Sequence, residues 1–160
     1  MTKKTGGQFG YERELTGHLA DLMRMWMSPR FRDALLGLSR TGCNETDARV
    51  IWELGYTSPR RPGSLADDLS LGAAALTKSV NRLTALGLVE AVSDPSDQRA
   101  RLVNLTDEGR KVAAQLFRIG DYMTETITDG WSEEELALLT DLLARFSEQS
   151  SRFGRQLSER

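Results

Sequence analysis

The 160-residue sequence has one cysteine, one histidine and no long apolar run. A single cysteine excludes a disulfide within the chain. No apolar run approaches the roughly 20 residues that a transmembrane helix needs. The lysines near the N-terminus have no apolar segment behind them, so they do not begin a signal peptide. These absences predict a cytoplasmic protein that does not enter a membrane.

The sequence also lacks the residue spacings that catalysis and metal binding require. It has no phosphate-binding loop, zinc-ligand spacing, nucleophile elbow or dinucleotide-binding glycine pattern. Asp67 and Asp68 have no histidine or cysteine near them in the sequence. Cys43 has no second cysteine to resolve an oxidised form, which disfavours a redox function. We therefore predict no enzymatic activity, no metal and no cofactor.

The net charge of −2 argues mildly against nucleic-acid binding, because most DNA-binding domains are basic. The excess acidity lies near the C-terminus, where residues 112–160 carry five basic and nine acidic side chains. Residues 60–111 carry eight basic and seven acidic side chains. DNA binding by this central segment would depend on a few well-placed cations rather than on a broad positive field.

Residues 62–72 predict a short helix followed by a tight turn. Pro62 suits the first helical position, where its missing N–H has no partner in any case. Leu65, Ala66 and Leu69 form a short apolar stripe. Gly72 closes the segment, and we expect it to supply the turn.

Residues 73–86 predict a second helix with two different faces, ended by Gly87. Apolar residues recur at helical spacing on one face, at Leu76, Val80 and Leu83. Small or polar residues occupy the opposite face and its borders. They are Ala74, Lys78, Asn81 and Ala85 on the face itself, with Thr77 and Arg82 at its borders. Small residues allow a close approach to another surface, and the long polar ones can reach base edges and phosphates.

Two β-type runs follow, residues 88–92 and 101–105, joined by a polar loop over residues 93–100. Gln98 and Arg99 lie in this loop, and Arg101 lies just beyond it. Beside a duplex, an arginine at the tip of such a hairpin could enter the minor groove.

Other roles are open for the arginines near this hairpin. Arg99 could pair with Asp94 or Asp97 and only hold the loop. Arg60 and Arg61, which precede the first short helix, could contact phosphate or form a solvated pair of charges.

Apolar residues at helical spacing also predict helices on both sides of this segment. The first, over residues 11–38, is kinked or split at Ser28-Pro29. Asn44 is the expected N-cap of a helix that continues through Leu54, with Asp47 three residues on as an approximate capping box. A helix over residues 107–128 follows the hairpin, and another begins after Ser132, which forms a capping box with Glu135. A polar tail over 147–160 is expected to fray. The flanking helices are too apolar on one face to stand alone, which favours an isologous dimer.

Residues 65–109 resemble the MarR family of bacterial transcription regulators. The most specific part is DPSDQRARLVNLT, residues 94–106, which matches the family's D-P-x-D-x-R wing and the following strand that ends in Leu-Thr. ARVIWEL, residues 48–54, resembles the family's second helix. The family usually has an aspartate at the position of Asn81, where it pairs with a wing arginine. Asn81 cannot form that charge pair.

The resemblance implies a mainly α fold with a small β-hairpin wing. One domain, residues 1–160, would contain a winged helix-turn-helix core flanked by N- and C-terminal dimerisation helices. The core would span residues 44–106, and the dimerisation helices would span residues 8–40 and 107–153.

The resemblance also implies a DNA-binding transcriptional regulator, usually a repressor, that binds a palindromic operator as a homodimer. A recognition helix, residues 73–86, would enter the major groove, and a wing, residues 91–103, would enter the minor groove. The expected DNA contacts are Ala74, Thr77, Lys78, Asn81, Arg82, Gln98, Arg99 and Arg101. The alternative is a winged-helix protein-interaction module that recognises no operator.

Regulators of this family often respond to small aromatic or phenolic effectors, so the resemblance implies such a ligand here. The candidate ligand-binding residues are His18, Trp26, Arg49 and Trp52. Aromatic surface beside one cation suits an aromatic carboxylate. All four residues could instead be structural.

Overall fold

The computed structural model describes residues 10–39 and 41–159, apart from the side chain of Gln98. These residues form seven helices and one antiparallel hairpin, so the predicted mainly α fold with a small β-hairpin is confirmed. In chain order the elements are α1 (Glu14–Trp26), α2 (Pro29–Ser39), α3 (Glu45–Thr57), α4 (Pro62–Asp68), α5 (Ala73–Ala85), β1 (Val89–Asp94), β2 (Asp97–Leu105), α6 (Asp107–Ile127) and α7 (Glu133–Ser158). Among the described helices, none is both long and apolar enough to cross a membrane.

The N-terminal helical segment is split at the position that the sequence indicated. α1 ends at Trp26 and α2 begins at Pro29, whose ring prevents the helix from continuing through it. The hydroxyl of Ser28 accepts a hydrogen bond from the N–H of Phe31 at 3.3 Å, which starts the second helix. α1 contains no buried residue within the described chain.

The buried core lies in the middle of the chain, between α3 and the beginning of α6. Apolar side chains from α3, α4, α5 and the hairpin meet there and are almost completely removed from water. They include Val50, Ile51, Leu54, Leu65, Leu76, Leu83, Val89 and Leu105. Burial of these residues supplies the main driving force that holds α4 and α5 against α3.

The turn between α4 and α5 is made by Ser70, and the prediction that Gly72 supplies it was wrong. Ser70 has φ +52°, whereas Gly72 is extended with φ −65° and caps the start of α5. The N–H of Leu71 donates to the carbonyl of Ala66 at 2.8 Å, which is the closing bond of a Schellman motif. In that motif the residue with positive φ is the first one after the C-cap, and this position is occupied by Ser70.

Gly87 ends α5, as predicted, with φ +70°. The N–H of Leu88 donates to the carbonyl of Leu83 and the N–H of Gly87 donates to that of Thr84, each at 2.9 Å. These two bonds satisfy carbonyls that the end of a helix would otherwise leave unpaired. The chain then turns directly into β1.

The two strands of the hairpin are longer than predicted. β1 and β2 are separated by a two-residue turn at 95–96, where the sequence indicated a loop over 93–100. The carboxylate of Asp94 accepts hydrogen bonds from the N–H and the hydroxyl of Ser96, at 2.8 and 2.6 Å. These bonds hold the chain in a tight turn, so that the residues after it return as a strand.

The register of the hairpin changes near its tip. Ser93 is opposite Arg101, but the next residue of β1, Asp94, is opposite Asp97. Residues 98–100 are therefore extra residues on β2 and form a bulge. The prediction that Arg99 lies in a loop was wrong, because it lies in this bulged part of β2.

The chain forms two compact units, and the division between them lies within α6, between Ile119 and Gly120. α7, in the second unit, extends to Ser158, so the predicted fraying from residue 147 was wrong. Its predicted capping box, between Ser132 and Glu135, is confirmed. Two apolar residues in the polar tail, Phe153 and Leu157, continue the helical spacing.

Candidate nucleic-acid interface

α5 has one buried face and one exposed face. Leu76, Ser79 and Leu83 are buried, and they fix which side of the helix points into the protein. The opposite side is exposed and has the composition that the sequence indicated: Ala74, Thr77, Lys78, Asn81 and Ala85. The 3.6-residue repeat places these residues together on one surface.

The exposed side of α5 offers both donors and acceptors. The hydroxyl of Thr77 donates to the carbonyl of Ala73 at 2.8 Å, so its oxygen remains available as an acceptor. Lys78 can donate three hydrogen bonds, and Asn81 can both donate and accept. Ala74 and Ala85 are small enough to let a partner approach the backbone. A helix with such a surface fits the width of the DNA major groove.

Asp47 holds α5 on α3. Asp47 is almost fully buried, with 1% of the residue exposed. Its carboxylate accepts three hydrogen bonds of 2.6 Å each. Two come from Nε and Nη2 of Arg82, and the third comes from the hydroxyl of Ser79. The two-pronged guanidinium contact fixes orientation as well as distance. These contacts therefore prevent α5 from rotating about its own axis.

This role of Asp47 was not predicted from the sequence, where Asp47 has the spacing of a capping-box residue at the start of α3. The predicted cap is confirmed, since the side-chain oxygen of Asn44 accepts from the N–H of Asp47 at 2.9 Å. The carboxylate of Asp47, however, reaches across to α5. The contact that the structure shows for Arg82 is with Asp47, and its contact with DNA stays a prediction.

Arg99 and Arg101 both lie on β2 and are exposed. The backbone N–H of Arg99 donates to the carboxylate of Asp97 at 3.0 Å, and Nη1 of Arg101 donates to the hydroxyl of Ser93 across the hairpin at 3.1 Å. Among the described wing residues, Asp94 is the one whose carboxylate forms an ion pair, and its partner is Arg61. Arg99 therefore does not pair with Asp94. The side chain of Gln98 lies outside the described part of the structure.

The residues just before α4 attach it to the hairpin. Arg60 and Val103 exchange two backbone hydrogen bonds, of 2.9 and 2.8 Å, beside β2. The guanidinium of Arg60 pairs with Asp68, and that of Arg61 pairs with Asp94. Both arginines, which the sequence left as either phosphate contacts or solvated charges, therefore have carboxylate partners.

A cleft of about 380 Å³ lies between the end of α3, the end of β2 and the beginning of α6. Tyr56 and Phe117 form an aromatic wall, with ring centroids 4.9 Å apart and planes nearly perpendicular. Ser58, Asn104 and Arg110 supply polar groups to the lining. Aromatic surface beside a cation and hydrogen-bonding groups suits a small, partly polar ligand.

The four predicted ligand-binding residues are not those that line this cleft. His18 and Trp26 are exposed on α1, and Arg49 donates to the carbonyl of Leu69 at 2.5 Å. Trp52 comes nearest to the cleft, because its ring meets that of Tyr56 edge-on at 5.1 Å. A ligand at these four residues stays a prediction.

Comparisons with known proteins show which family this chain resembles. The model of the MarR family matches residues 36–100. The multiple antibiotic resistance protein MarR of Escherichia coli (strain K12) is 33% identical over 117 residues, which cover 71% of this chain and 81% of that protein. Among solved structures, wild-type MarR from E. coli in its apo form has a TM-score of 0.61 at 27% identity, covering 81% of this chain and 95% of that one.

A second structural neighbour was solved with DNA. FabT of Streptococcus pneumoniae in complex with DNA has a TM-score of 0.54 at 23% identity, and the match covers 88% of this chain and 94% of that one. At this identity the likeness shows the fold alone. The match to the E. coli relative is more informative, because it is 33% identical and covers 81% of that protein. This chain therefore belongs to the MarR family of transcriptional regulators.

Proposed function

We propose that this DNA-binding regulator represses transcription by occupying a palindromic operator as a homodimer. In this proposal α5 enters the major groove of each half-site, and the wing, residues 91–103 of the hairpin formed by β1 and β2, enters the minor groove. A dimer seated on promoter DNA excludes other proteins from the same surface, which is the simplest physical route to repression.

The observation that carries the proposal is the two-faced structure of α5. Its inner face is buried and is fixed by the three hydrogen bonds to Asp47. Its outer face presents Thr77, Lys78 and Asn81 between small alanines. Pre-set orientation matters for base recognition, because hydrogen bonds to base edges need donors and acceptors at fixed positions.

The wing supports the second half of the proposal. Arg99 is exposed on the bulged end of β2, where residues 98–100 have no partner in the regular pairing with β1. A guanidinium is favoured in a narrow minor groove, where the negative potential is strong. Such a contact senses groove width more than base identity, so it would favour A·T-rich flanks.

Exposed apolar side chains support dimerisation. Five of those along α7 lie four, four, seven and four residues apart, so they share one side of the helix: Leu138, Leu142, Phe146, Phe153 and Leu157. α1 exposes Leu15, Leu22, Met23 and Trp26. Exposed apolar surface of this extent is typical of an interface. A palindromic operator calls for two-fold symmetry in the protein.

The dimer is tested by light scattering on a variant carrying both Leu142→Glu and Phe146→Glu. Two buried charges at the interface should give a monomer that has lost operator binding. Ala144→Glu is the matched control, because residue 144 lies on the opposite side of α7, and this variant should stay dimeric. A monomeric wild-type protein that binds its operator fully would contradict the proposal.

A small aromatic acid is the effector that we propose, and the cleft beside Tyr56 and Phe117 is its candidate site. The guanidinium of Arg110 donates to the carbonyl of Leu105 and pairs with Asp107. It would turn from Asp107 toward the carboxylate of the ligand, and the rings would cover the aromatic part. Titration calorimetry with a panel of phenolic acids tests this idea. Binding that survives both Phe117→Ala and Arg110→Gln would place the site elsewhere.

Operator recognition itself is tested by selection from a pool of randomised DNA duplexes. We expect enrichment of a two-fold symmetric sequence, with an affinity that falls steeply as salt rises because bound counterions are released. Recovery of no common sequence would instead favour a winged-helix module that binds other proteins.

A further inference from the structure

An ion pair connects the beginning of α4 to the tip of the wing. Nε and Nη2 of Arg61 lie 2.8 and 2.6 Å from Oδ2 of Asp94. The Asp94 side chain is 7% exposed and that of Arg61 is 53% exposed. Arg61 is the N-cap residue of α4, the first helix of the helix-turn-helix, and Asp94 is the last residue of β1.

The other oxygen of Asp94 holds the turn of the wing. Oδ1 accepts from the N–H of Ser96 at 2.8 Å and from its hydroxyl at 2.6 Å. These bonds, together with the guanidinium of Arg61, lower the pKa of Asp94 to about 2. Asp94 is therefore an anion at neutral pH and joins the turn of the wing to α4.

A second attachment lies at the other end of β2. There the backbones of Arg60 and Val103 exchange two hydrogen bonds. The chain around residues 60–61 thus holds the hairpin near its base through the backbone and at its tip through a side chain. Two separated attachments fix an angle, whereas one would leave a hinge.

We propose that Arg61 and Asp94 act as a clamp that sets the angle of the wing and so positions Arg99 in the minor groove. This inference rests on the proposed contact of the wing with DNA. Arg61 and Asp94 are positioning residues here, because they act on the duplex through the wing.

The competing role for Arg61 is a direct phosphate contact, and Asp94→Asn separates the two. The substitution removes a negative charge near DNA, so simple electrostatics predicts tighter binding. Asparagine keeps the side-chain oxygen that accepts from Ser96, so the turn is retained. The clamp, however, loses its charge pair, so the positioning role predicts weaker binding. The two roles give effects of opposite sign.

The experiment measures affinity for the selected operator duplex by fluorescence anisotropy, using full-length wild-type protein, Arg61→Gln, Asp94→Asn and the double variant. Each single substitution should weaken binding about tenfold, and the double variant should be no weaker than either single one. Glu108→Gln is the charge control, because it removes one negative charge from an exposed pair on α6, and it should not weaken binding. Thermal melting of each variant checks that the fold is intact.

Hydrogen exchange provides a readout that does not depend on DNA. In Asp94→Asn the amides of β2 near residues 97–101 should exchange faster, while those of α5 should not change. Binding by Asp94→Asn that equals or exceeds that of the wild type would overturn the clamp. So would losses that multiply in the double variant.

Arg99→Ala distinguishes failure of the clamp from failure of the wing contact. If Arg99→Ala weakens operator binding but Asp94→Asn does not, the wing contacts DNA and the clamp is wrong. If Arg99→Ala has no effect, the proposed wing contact is wrong, and the clamp, which acts through Arg99, is wrong with it.

Discussion

Arg82 on α5 and Asp47 on α3 are joined by two hydrogen bonds of 2.6 Å, although they lie 35 residues apart in the sequence. The carboxylate is buried, while the guanidinium is partly exposed, with 38% of the side chain accessible. The pair is therefore asymmetric. Asp47 depends on Arg82 for its charge partner, whereas Arg82 can still reach water.

This asymmetry predicts the cost of removing each partner. Arg82→Ala should lower the free energy of unfolding more than Asp47→Ala does, because it leaves a buried carboxylate without its counter-ion. Asp47→Ala should cost about 1–3 kcal/mol, chiefly from the lost hydrogen bonds. Urea denaturation at one protein concentration measures both. A larger loss for Asp47→Ala than for Arg82→Ala would contradict this account.

Lys78 tests the outer face of α5. Lys78→Ala should weaken operator binding by about 1–3 kcal/mol if the amine reaches a base edge. Lys111→Ala is the matched control, because it removes the same charge from an exposed position on α6 that is paired with Glu108. Equal operator affinities for the two variants would count against the placement of α5 in the major groove.

Gly109 tests how α6 is seated on the winged core. A methyl group at Gly109 would lie 1.9 Å from the backbone oxygen of Leu88, which cannot move without disturbing β1. Gly109→Ala should therefore destabilise the protein by about 1–3 kcal/mol, the usual range for overpacking.

Gly120 in the same helix provides the control, since a methyl group there would meet no described atom within 4 Å. Gly120→Ala should instead stabilise the protein by about 1 kcal/mol, through helix propensity alone. Thermal melting should show the two variants moving in opposite directions. A shift in the same direction would show that Gly109 is not constrained by Leu88.

Cys43 gives a prediction about pH. Burial raises the pKa of its thiol, so the thiolate is disfavoured in the folded protein. Alkylation by iodoacetamide at pH 8 should be at least about tenfold slower in the folded protein than in urea, because the thiolate is the nucleophile. As pH rises above about 8.5, the ordinary pKa of cysteine, the thiol ionises first in the unfolded protein. Ionisation there favours unfolding, so the contribution of Cys43 to the free energy of unfolding falls as pH rises. Rapid alkylation of the folded protein would instead indicate a reactive thiol.

Local periodicity was sufficient to predict the helix that carries the candidate DNA contacts. The spacing of Leu76, Val80 and Leu83 predicts both the position of α5 and the composition of its exposed face, because the 3.6-residue repeat is a property of neighbouring residues. The Gly87 ending and the cap at Ser132 were predictable for the same reason. Each depends on atoms only a few residues apart.

Pairing between distant side chains was not predictable in this way. Nothing in the local pattern links Asp47 to Arg82 or Arg61 to Asp94, since those contacts exist only after the core has brought α3, α4, α5 and the wing together. The longer strands were missed for a related reason. Residues 97–100 have the polar composition of a loop, but the turn that Asp94 and Ser96 hold forces them into β2.

Footprinting with dimethyl sulfate on the selected operator tests the central claim most directly. This reagent methylates guanine N7 in the major groove and adenine N3 in the minor groove, so one measurement reports on both α5 and the wing. We expect protected guanine N7 atoms in two symmetric half-sites, with centres about 10 base pairs, or a multiple of that, apart. Protected adenine N3 atoms should flank each half-site, and Arg99→Ala should remove only those. Protection without two-fold symmetry, or protection confined to one groove, would contradict the account.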